Sequence, residues 1–297
     1  MHADRIGIVG YGEVGQAIAR GLCSNRGISI SVFDIKFNDK EFSELLMLRA
    51  KEQGVTVEED LRSLVVNNNI ILSIATGGAA THVVRECLPF IGRGKVFVDM
   101  NTLSPREKML MGEMIEEKGG SFVEVAILGA IASYGFRSPM LVCGERADQF
   151  VDLLGNMGFN VTFVAKEIGK ASYLKMLRSV FAKGVEALLL EMLVAAKRCD
   201  LVEPLMGAIV EHMDGNSFHD IANTWLTTNA IHAERRAEEM EHVIETLNEL
   251  NIKPIMAEAT RDRLRTSVQS GLKGFFKGKK PEDYREVIDA LVNMEFR

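Results

Sequence analysis

The sequence predicts an α/β protein: a doubly wound sheet followed by an all-α C-terminal domain. Three observations carry that reading. Short apolar runs alternate with helix-period segments from Arg5 to Ala165, the first run breaks into glycines spaced G-x-G-x-x-G, and beyond Lys166 only helical segments follow. The expected domains are residues 1–166 and 167–297.

The apolar run Ile6–Val9 stops at Gly10-Tyr11-Gly12-Glu13-Val14-Gly15, and Gln16–Leu22 resumes with helical periodicity. Gly10 permits a tight turn, Gly12 lets the backbone approach a pyrophosphate, and Gly15 lets the helix pack on the strand, with phosphates at the helix N-terminus. A Rossmann-type dinucleotide site is expected, its contacts drawn from Gly10, Tyr11, Gly12, Glu13, Val14 and Gly15. The next strand, Ile28–Phe33, ends in Asp34, flanked by Ile35 and Lys36. An acid about 20 residues beyond the glycines is where a ribose hydroxyl is held. A carboxylate accepts from a free 2′-hydroxyl and repels a 2′-phosphate, so NAD is expected ahead of NADP, which Lys36 keeps possible.

Helices are expected from Lys40 to Glu52, ending at Gly54, and from Glu58 to Val66. The strand Ile70–Ile74 runs into a loop of small residues, Ala75–Ala80, which brings Thr76 to the cofactor, and a helix follows from Thr81 to Pro89. Lys95–Asp99 is a strand leading to Asn101-Thr102-Leu103-Ser104-Pro105, where Ser104 reads as an N-cap with proline at the first helical position. Phe122–Val125, Met140–Cys143 and Val161–Val164 complete a sheet expected to be parallel, with ligands beyond the carboxyl ends of its strands. The helical half is read as segments 169–198, 202–213, 218–225, 230–250, 254–270 and 281–293.

The first of those helices has two faces. Leu177, Phe181, Val185 and Leu188 share an apolar arc, while Lys175, Arg178, Ser179, Ala182 and Glu186 lie opposite. Small residues mixed with single charges suit a face bordering a cleft between the domains, or a solvated cationic stripe. In a cleft, partial burial and the neighbouring Arg178 both favour the neutral amine of Lys175, which then exchanges protons near neutral pH. Further along, His232, Arg235, Arg236 and Glu239 form a one-sided stripe. It is either an exposed face laced with Glu–Arg pairs or a face from which His232 and Arg236 reach the substrate. Trp225 is expected in the core.

Composition narrows the function. The 297 residues are 47% hydrophobic and 26% charged with a net charge of −6, and the longest basic run is Lys277-Gly278-Lys279-Lys280. Neither nucleic acid nor an anionic membrane is expected as a partner. Cys23, Cys87, Cys143 and Cys199 form no C-x-x-C pair, His212 and His219 are too loosely spaced to share a metal, and there is no H-E-x-x-H, so no metal site is expected. With no signal-peptide pattern and no membrane-length apolar run, a cytoplasmic protein is expected.

The order of these motifs, from Arg5 to about Leu190, resembles the β-hydroxyacid dehydrogenase family, which includes 3-hydroxyisobutyrate and 6-phosphogluconate dehydrogenases. Asp99-Met100-Asn101-Thr102-Leu103-Ser104-Pro105 resembles its D-x-S-T-x-x-P loop, with Asn101 in place of serine. Gly169-Lys170-Ala171-Ser172-Tyr173-Leu174-Lys175 resembles its G-x-G-x-x-x-K segment and implies Lys175 as the catalytic lysine. Two departures stand out. Arg178-Ser179 replaces the family's Asn-Asn, and Glu124-Val125-Ala126-Ile127-Leu128-Gly129-Ala130 replaces a D-A-P-V-S-G-G-like loop, so Leu128 stands where a serine meets substrate. The segment from Lys175 to Leu188 is similar to a phosphogluconate-dehydrogenase-like branch with its own C-terminal helical domain.

The resemblance implies hydride transfer between nicotinamide and a small hydroxy acid, sugar acid or carbonyl form. Lys175 would be general acid or base, Asn101 would hold the substrate or the nicotinamide amide, Thr102 would contact the substrate, and Arg178 and Ser179 would contact the substrate's polar group. Arg178 suits an anionic substrate, because a guanidinium binds carboxylate or phosphate through two parallel hydrogen bonds. An apolar-rich helical domain in a chain with 15 methionines suits a homodimer interface. Two alternatives stand beside this reading: imine reduction on a similar scaffold, and a dinucleotide sensor that has lost catalysis.

Overall fold

The computed structural model describes residues 5–24 and 27–295. Its strands are β1 (Arg5–Val9), β2 (Ser29–Phe33), β3 (Thr56–Val57), β4 (Ile70–Ser73), β5 (Val96–Asp99), β6 (Ser121–Ile127), β7 (Met140–Cys143) and β8 (Val161–Ala165), joined in one sheet in the order β3-β2-β1-β4-β5-β6-β7-β8. The direction in which the strands are added reverses between β1 and β4, the position at which doubly wound sheets bind ligands. Between the strands lie α1 (Glu13–Cys23), α2 (Ser43–Gln53), α3 (Leu61–Asn67), α4 (Gly77–Cys87), α5 (Pro105–Glu116), α6 (Ile131–Tyr134) and α7 (Ala147–Asn156).

Strand side chains alternate between the two faces and both faces are covered. Ile6, Ile8, Ile30, Val32, Leu72 and Val98 pack with Ile18 and Leu22 of α1 and Phe150 and Leu154 of α7. Ile71, Phe97 and Phe122 pack on the other face with Leu64, Val84, Met111 and Ile115 of α3, α4 and α5.

The expectation of a wholly parallel sheet is corrected at one pair. β6 and β7 are antiparallel, with Glu124 opposite Cys143 and Ile127 opposite Met140. The link between them, residues 128–139, holds only the 4-residue α6 and a single 3-10 turn, too little to carry the chain back along the sheet, so it reverses instead. The expected small-residue loop at 75–80 is also shorter than read. α4 begins at Gly77, where an added Cβ would stand 3.0 Å from the Thr102 carbonyl oxygen, so small size serves close approach within the first helical turn.

The chain divides into two units, one through Val180 and one from Phe181. α8 (Lys170–Arg198) runs from the first into the second, followed by α9 (Val202–Asp214), α10 (Phe218–Glu249), α11 (Ile255–Gln269), α12 (Leu272–Phe275) and α13 (Tyr284–Glu295). The expected break at 226–229 is absent and α10 is continuous. The Thr227 and Thr228 hydroxyls bond back to the carbonyls of Asn223 and Thr224 at 2.7 and 2.5 Å, so these threonines are accommodated within the helix. Trp225, expected in the core, is half exposed. The cores of this unit are small: Ala230, Leu272, Val287 and Ala290 form one, and Ile244, Leu247 and Ala257 another. Leu188, Leu190, Val194, Val210 and Met213 are left exposed, and no residue of α9 is buried.

Candidate active site

The glycine turn follows β1 at the carboxyl edge of the sheet. Gly10 has φ +96°, and a Cβ there would lie 2.3 Å from the Ile74 carbonyl oxygen, while a Cβ on Gly15 would lie 2.1 Å from the oxygen of Gly10. Both positions exclude every larger residue. Gly12 is the converse: nothing lies within 4 Å of its Cβ position, so the N-terminus of α1, which it caps, is open to a ligand. A cradle of this form fits a dinucleotide pyrophosphate, which the first amides of α1 would bind.

Asp34 ties the turn to β2. One carboxylate oxygen accepts from the Tyr11 amide at 2.6 Å and the other from the Lys36 amide at 2.9 Å, and each keeps a lone pair for a ribose hydroxyl. The Tyr11 side chain faces the interior, stacked on Phe37 and donating from its hydroxyl to Gln53 at 2.9 Å, which leaves only the backbone of Tyr11 for a ligand. Glu13 is exposed in the first turn of α1, Val14 packs against the core, Ile35 is 78% exposed, and the Lys36 ammonium lies 4.9 Å from the centre of the Phe42 ring. Thr76 is the exposed N-cap of α4, with no side-chain capping bond.

At the end of β5 lies a buried polar chain. Lys108 and Asp99 are both fully buried and form an ion pair through Nζ and Oδ2, and Nζ also donates to the Asp99 carbonyl at 3.1 Å. The other carboxylate oxygen accepts from Asn101 Nδ2 at 2.6 Å, and the same amide nitrogen donates to Ser73 Oγ at 3.0 Å. Asn101 is 5% exposed, and its Oδ1 is the one buried side-chain polar atom of the described residues without a hydrogen-bond partner. An unsatisfied buried acceptor costs about 1–3 kcal/mol, so it calls for an explanation.

The lysine is placed by β6. Glu124, fully buried, accepts from the amides of Gly169 at 2.5 Å and Ser172 at 2.7 Å, satisfying the first turn of α8 with a carboxylate at the positive end of the helix. Five residues on from Lys170, Lys175 donates from Nζ to Thr102 Oγ1 at 2.8 Å. Burial lowers the affinity of the Lys175 amine for a proton, and the charge of Lys108 lowers it further. The expected role of Arg178 in that shift is thereby corrected. Its Nη1 donates to the Leu128 carbonyl at 2.8 Å, and the cation that acts on Lys175 is Lys108. Ser179 donates to the carbonyl of Lys175 at 2.9 Å, which leaves its oxygen as an acceptor.

The first unit thus contains Gly10 to Gly15, Asp34 to Lys36, Thr76, Asn101, Thr102, Lys175, Arg178 and Ser179. His232 and Arg236 belong to the helical unit. His232 is exposed, and Arg236 is held within its own helix by Thr228 Oγ1 at 2.7 Å and the Trp225 carbonyl at 3.3 Å. Arg235 pairs with Glu239 at 2.8 Å, as a salt-bridged exposed face would.

Lys108 and Glu124 were not singled out from sequence, although each left a signal. Lys108, Met111, Gly112 and Ile115 are the buried face of α5 at i, i+3, i+4 and i+7, so this lysine sits on an apolar stripe. Glu124 is a single acid inside an apolar strand, where burial demands a partner.

A doubly wound sheet with this glycine turn at its switch point and an acid at the end of β2 is the dinucleotide-binding arrangement of NAD(P)-dependent oxidoreductases. Residues 5–165 match the family model described as the NAD binding domain of 6-phosphogluconate dehydrogenase, and residues 196–267 match a domain of unknown function (DUF1932). The chain belongs to the β-hydroxyacid dehydrogenase family, of which that NAD binding domain is the mark. An uncharacterized 28.5 kDa protein of Methanothermus fervidus is 30% identical over 87% of this chain and 96% of its own length. The 2-(hydroxymethyl)glutarate dehydrogenase of Eubacterium barkeri is 24% identical over 72% of this chain and 70% of its own. Among solved structures, an imine reductase from Myxococcus stipitatus in complex with NADP+ superposes with a TM-score of 0.73 at 17% identity, covering 97% of this chain and 99% of that one, a likeness of fold.

Proposed function

We propose that the protein is an NAD-dependent dehydrogenase acting on a small anionic hydroxy acid or sugar acid, or reducing its carbonyl form. The observation that carries this reading is the half-buried Lys175 amine, held on Thr102 Oγ1 at 2.8 Å with its proton affinity lowered. The family relation and the hydroxy acid named for the Eubacterium barkeri relative support the substrate class.

Bound nicotinamide supplies the hydride acceptor or donor. Lys175 takes the substrate's hydroxyl proton during oxidation and returns a proton to the carbonyl during reduction, and Thr102 keeps Nζ in place. Arg178, with Nη1 spent on the Leu128 carbonyl, retains donors for a carboxylate or phosphate, and Ser179 accepts from a substrate hydroxyl. The test is the absorbance of reduced nicotinamide when the protein is mixed with NAD and a panel of small hydroxy acids and sugar acids. Turnover of a member supports the reading; cofactor binding without turnover of any member supports a sensor.

Asp34 sets the cofactor preference. NAD is expected to bind about ten-fold more tightly than its 2′-phosphorylated counterpart, because the phosphate meets the carboxylate that also holds the Tyr11 amide. In Asp34→Ser the ratio of the two dissociation constants falls toward one; an unchanged ratio removes Asp34 from cofactor choice.

The helical unit is proposed to form a homodimer, since the exposed Leu188, Leu190, Val194, Val210 and Met213 leave an apolar surface on α8 and α9. Light scattering after gel filtration is expected to give twice the 32.9 kDa chain mass, and a monomer mass would contradict it.

A further inference from the structure

Resting on the reading of Lys175 as the proton-transfer group, we propose that the buried Lys108–Asp99 pair is the positioning device of that amine: the pair clamps the turn between β5 and α5, and the clamped turn holds Lys175 through Thr102.

The turn is tied at both ends. Asp99 closes β5 and Lys108 lies one turn into α5, and Lys108 Nζ reaches back to Asp99 Oδ2 and to the Asp99 carbonyl, the latter at 3.1 Å. Within the stretch, Asn101 Nδ2 donates to Asp99 Oδ1 at 2.6 Å and to Ser73 Oγ at 3.0 Å, which leaves Oδ1 for the nicotinamide amide that the family resemblance implies. Met100 and Leu103 are buried, and Ser104 and Glu107 cap each other at the start of α5. Thr102 is exposed between buried Asn101 and Leu103, and its carbonyl rests against the first turn of α4 at Gly77. With the backbone held on both sides, Thr102 Oγ1 presents one fixed acceptor, and Lys175 Nζ takes it at 2.8 Å.

Packing does not require a charge at this place. Lys108 shares the buried face of α5 with Met111 and Ile115, and an apolar pair of similar volume holds a core about as well as a buried ion pair. What the ion pair adds is a cation fixed in direction and shielded from water, both side chains being fully buried. That cation acts on the Lys175 amine in the same sense as burial, against its proton. Charged side chains on the other elements that meet here are already engaged. Asp99 of β5 is held by Lys108 and Asn101, Glu124 of β6 by the amides of Gly169 and Ser172, and Arg178 of α8 by the Leu128 carbonyl. Lys108 lies three residues beyond the D-x-S-T-x-x-P pattern, so the role is not one that the loop pattern carries.

The experiment labels the intact protein with acetic anhydride, which acetylates only free amines, over a range of pH, and reads each lysine by peptide mass mapping. Exposed Lys118, in the same unit, is the internal reference. In the wild type the pH midpoint for Lys175 is expected below that for Lys118. In Lys108→Met/Asp99→Leu, which removes the pair and leaves apolar groups to fill its place, the Lys175 midpoint should rise toward that of Lys118. Below the Lys118 midpoint its labelling rate should fall several-fold. Asp60→Ala, which removes the side-chain cap of α3 and weakens the fold elsewhere, should leave the Lys175 midpoint where it was. A midpoint unmoved in the double variant overturns the proposal, and so does one that moves as far in Asp60→Ala, because the effect would then follow stability alone. Labelling needs neither cofactor nor substrate. Absence of turnover across the hydroxy-acid panel would end the dehydrogenase reading and leave the labelling result standing.

Discussion

Lys175→Met is expected to lower turnover by about 10²–10⁴-fold, the usual contribution of a positioned proton-transfer group, while the dissociation constant for NAD changes by no more than about two-fold. The asymmetry follows from geometry. Lys175 reaches the end of β5 through Thr102, whereas the cofactor cradle at Gly10, Gly12 and Gly15 lies on another loop. Steady-state kinetics and calorimetry on the same variant separate the two effects. A variant with undiminished turnover removes Lys175 from the chemistry, and one that loses NAD binding in proportion shows a structural part instead.

The same amine sets the pH dependence, and its sign can be stated. Burial, then the charge of Lys108, lowers the Lys175 value below the ordinary 10.5. Oxidation needs the free amine, so kcat/KM for oxidation should rise with pH and level off above an inflection below that ordinary value. Reduction needs the proton, so its rate should fall across the same window. The inflection should disappear in Lys175→Met; its persistence there would assign it to another group.

The second large effect concerns stability. Lys108→Met should destabilise the protein by about 3–5 kcal/mol, because it strands the Asp99 carboxylate in an interior with no cation. Both partners are fully buried, so water cannot compensate. Lys108→Met/Asp99→Leu should recover most of the loss, since replacing a buried pair by apolar groups of similar volume is close to neutral. Denaturant midpoints of the two variants measure the difference. Equal losses would mean that the lysine acts through its packing in α5 rather than through its charge.

Much of the sheet unit was legible because its signals are local. Ile6–Val9 followed by the glycines, Asp34 after a β-rich run, and Ser104 before Pro105 and Glu107 each specify geometry within a few residues, and Ser104 and Glu107 form a reciprocal capping box. Misreadings arose where small or β-branched residues carry two meanings. Gly77 to Ala80 were read as loop and are the first turn of α4, where the small size of Gly77 serves close approach of the Thr102 carbonyl rather than a loop. Thr227 and Thr228 were read near a break and lie within a helix, because their hydroxyls bond back along it.

What the sequence alone determined is the glycine turn, the acid that ends β2, the alternation of strands and helices, and a lysine on the polar face of the helix after β8. Each is written in neighbouring residues, where steric demands and periodicity act over one or two turns of chain. Only the tertiary structure decided which charges meet. It joined Lys108 to Asp99, capped α8 with Glu124 from β6, set Lys175 on Thr102, and left one amide oxygen of Asn101 without a partner. Those pairings depend on burial and on strands that are distant in sequence and adjacent in the sheet, and a charge in the sequence carries no mark of the partner it will find.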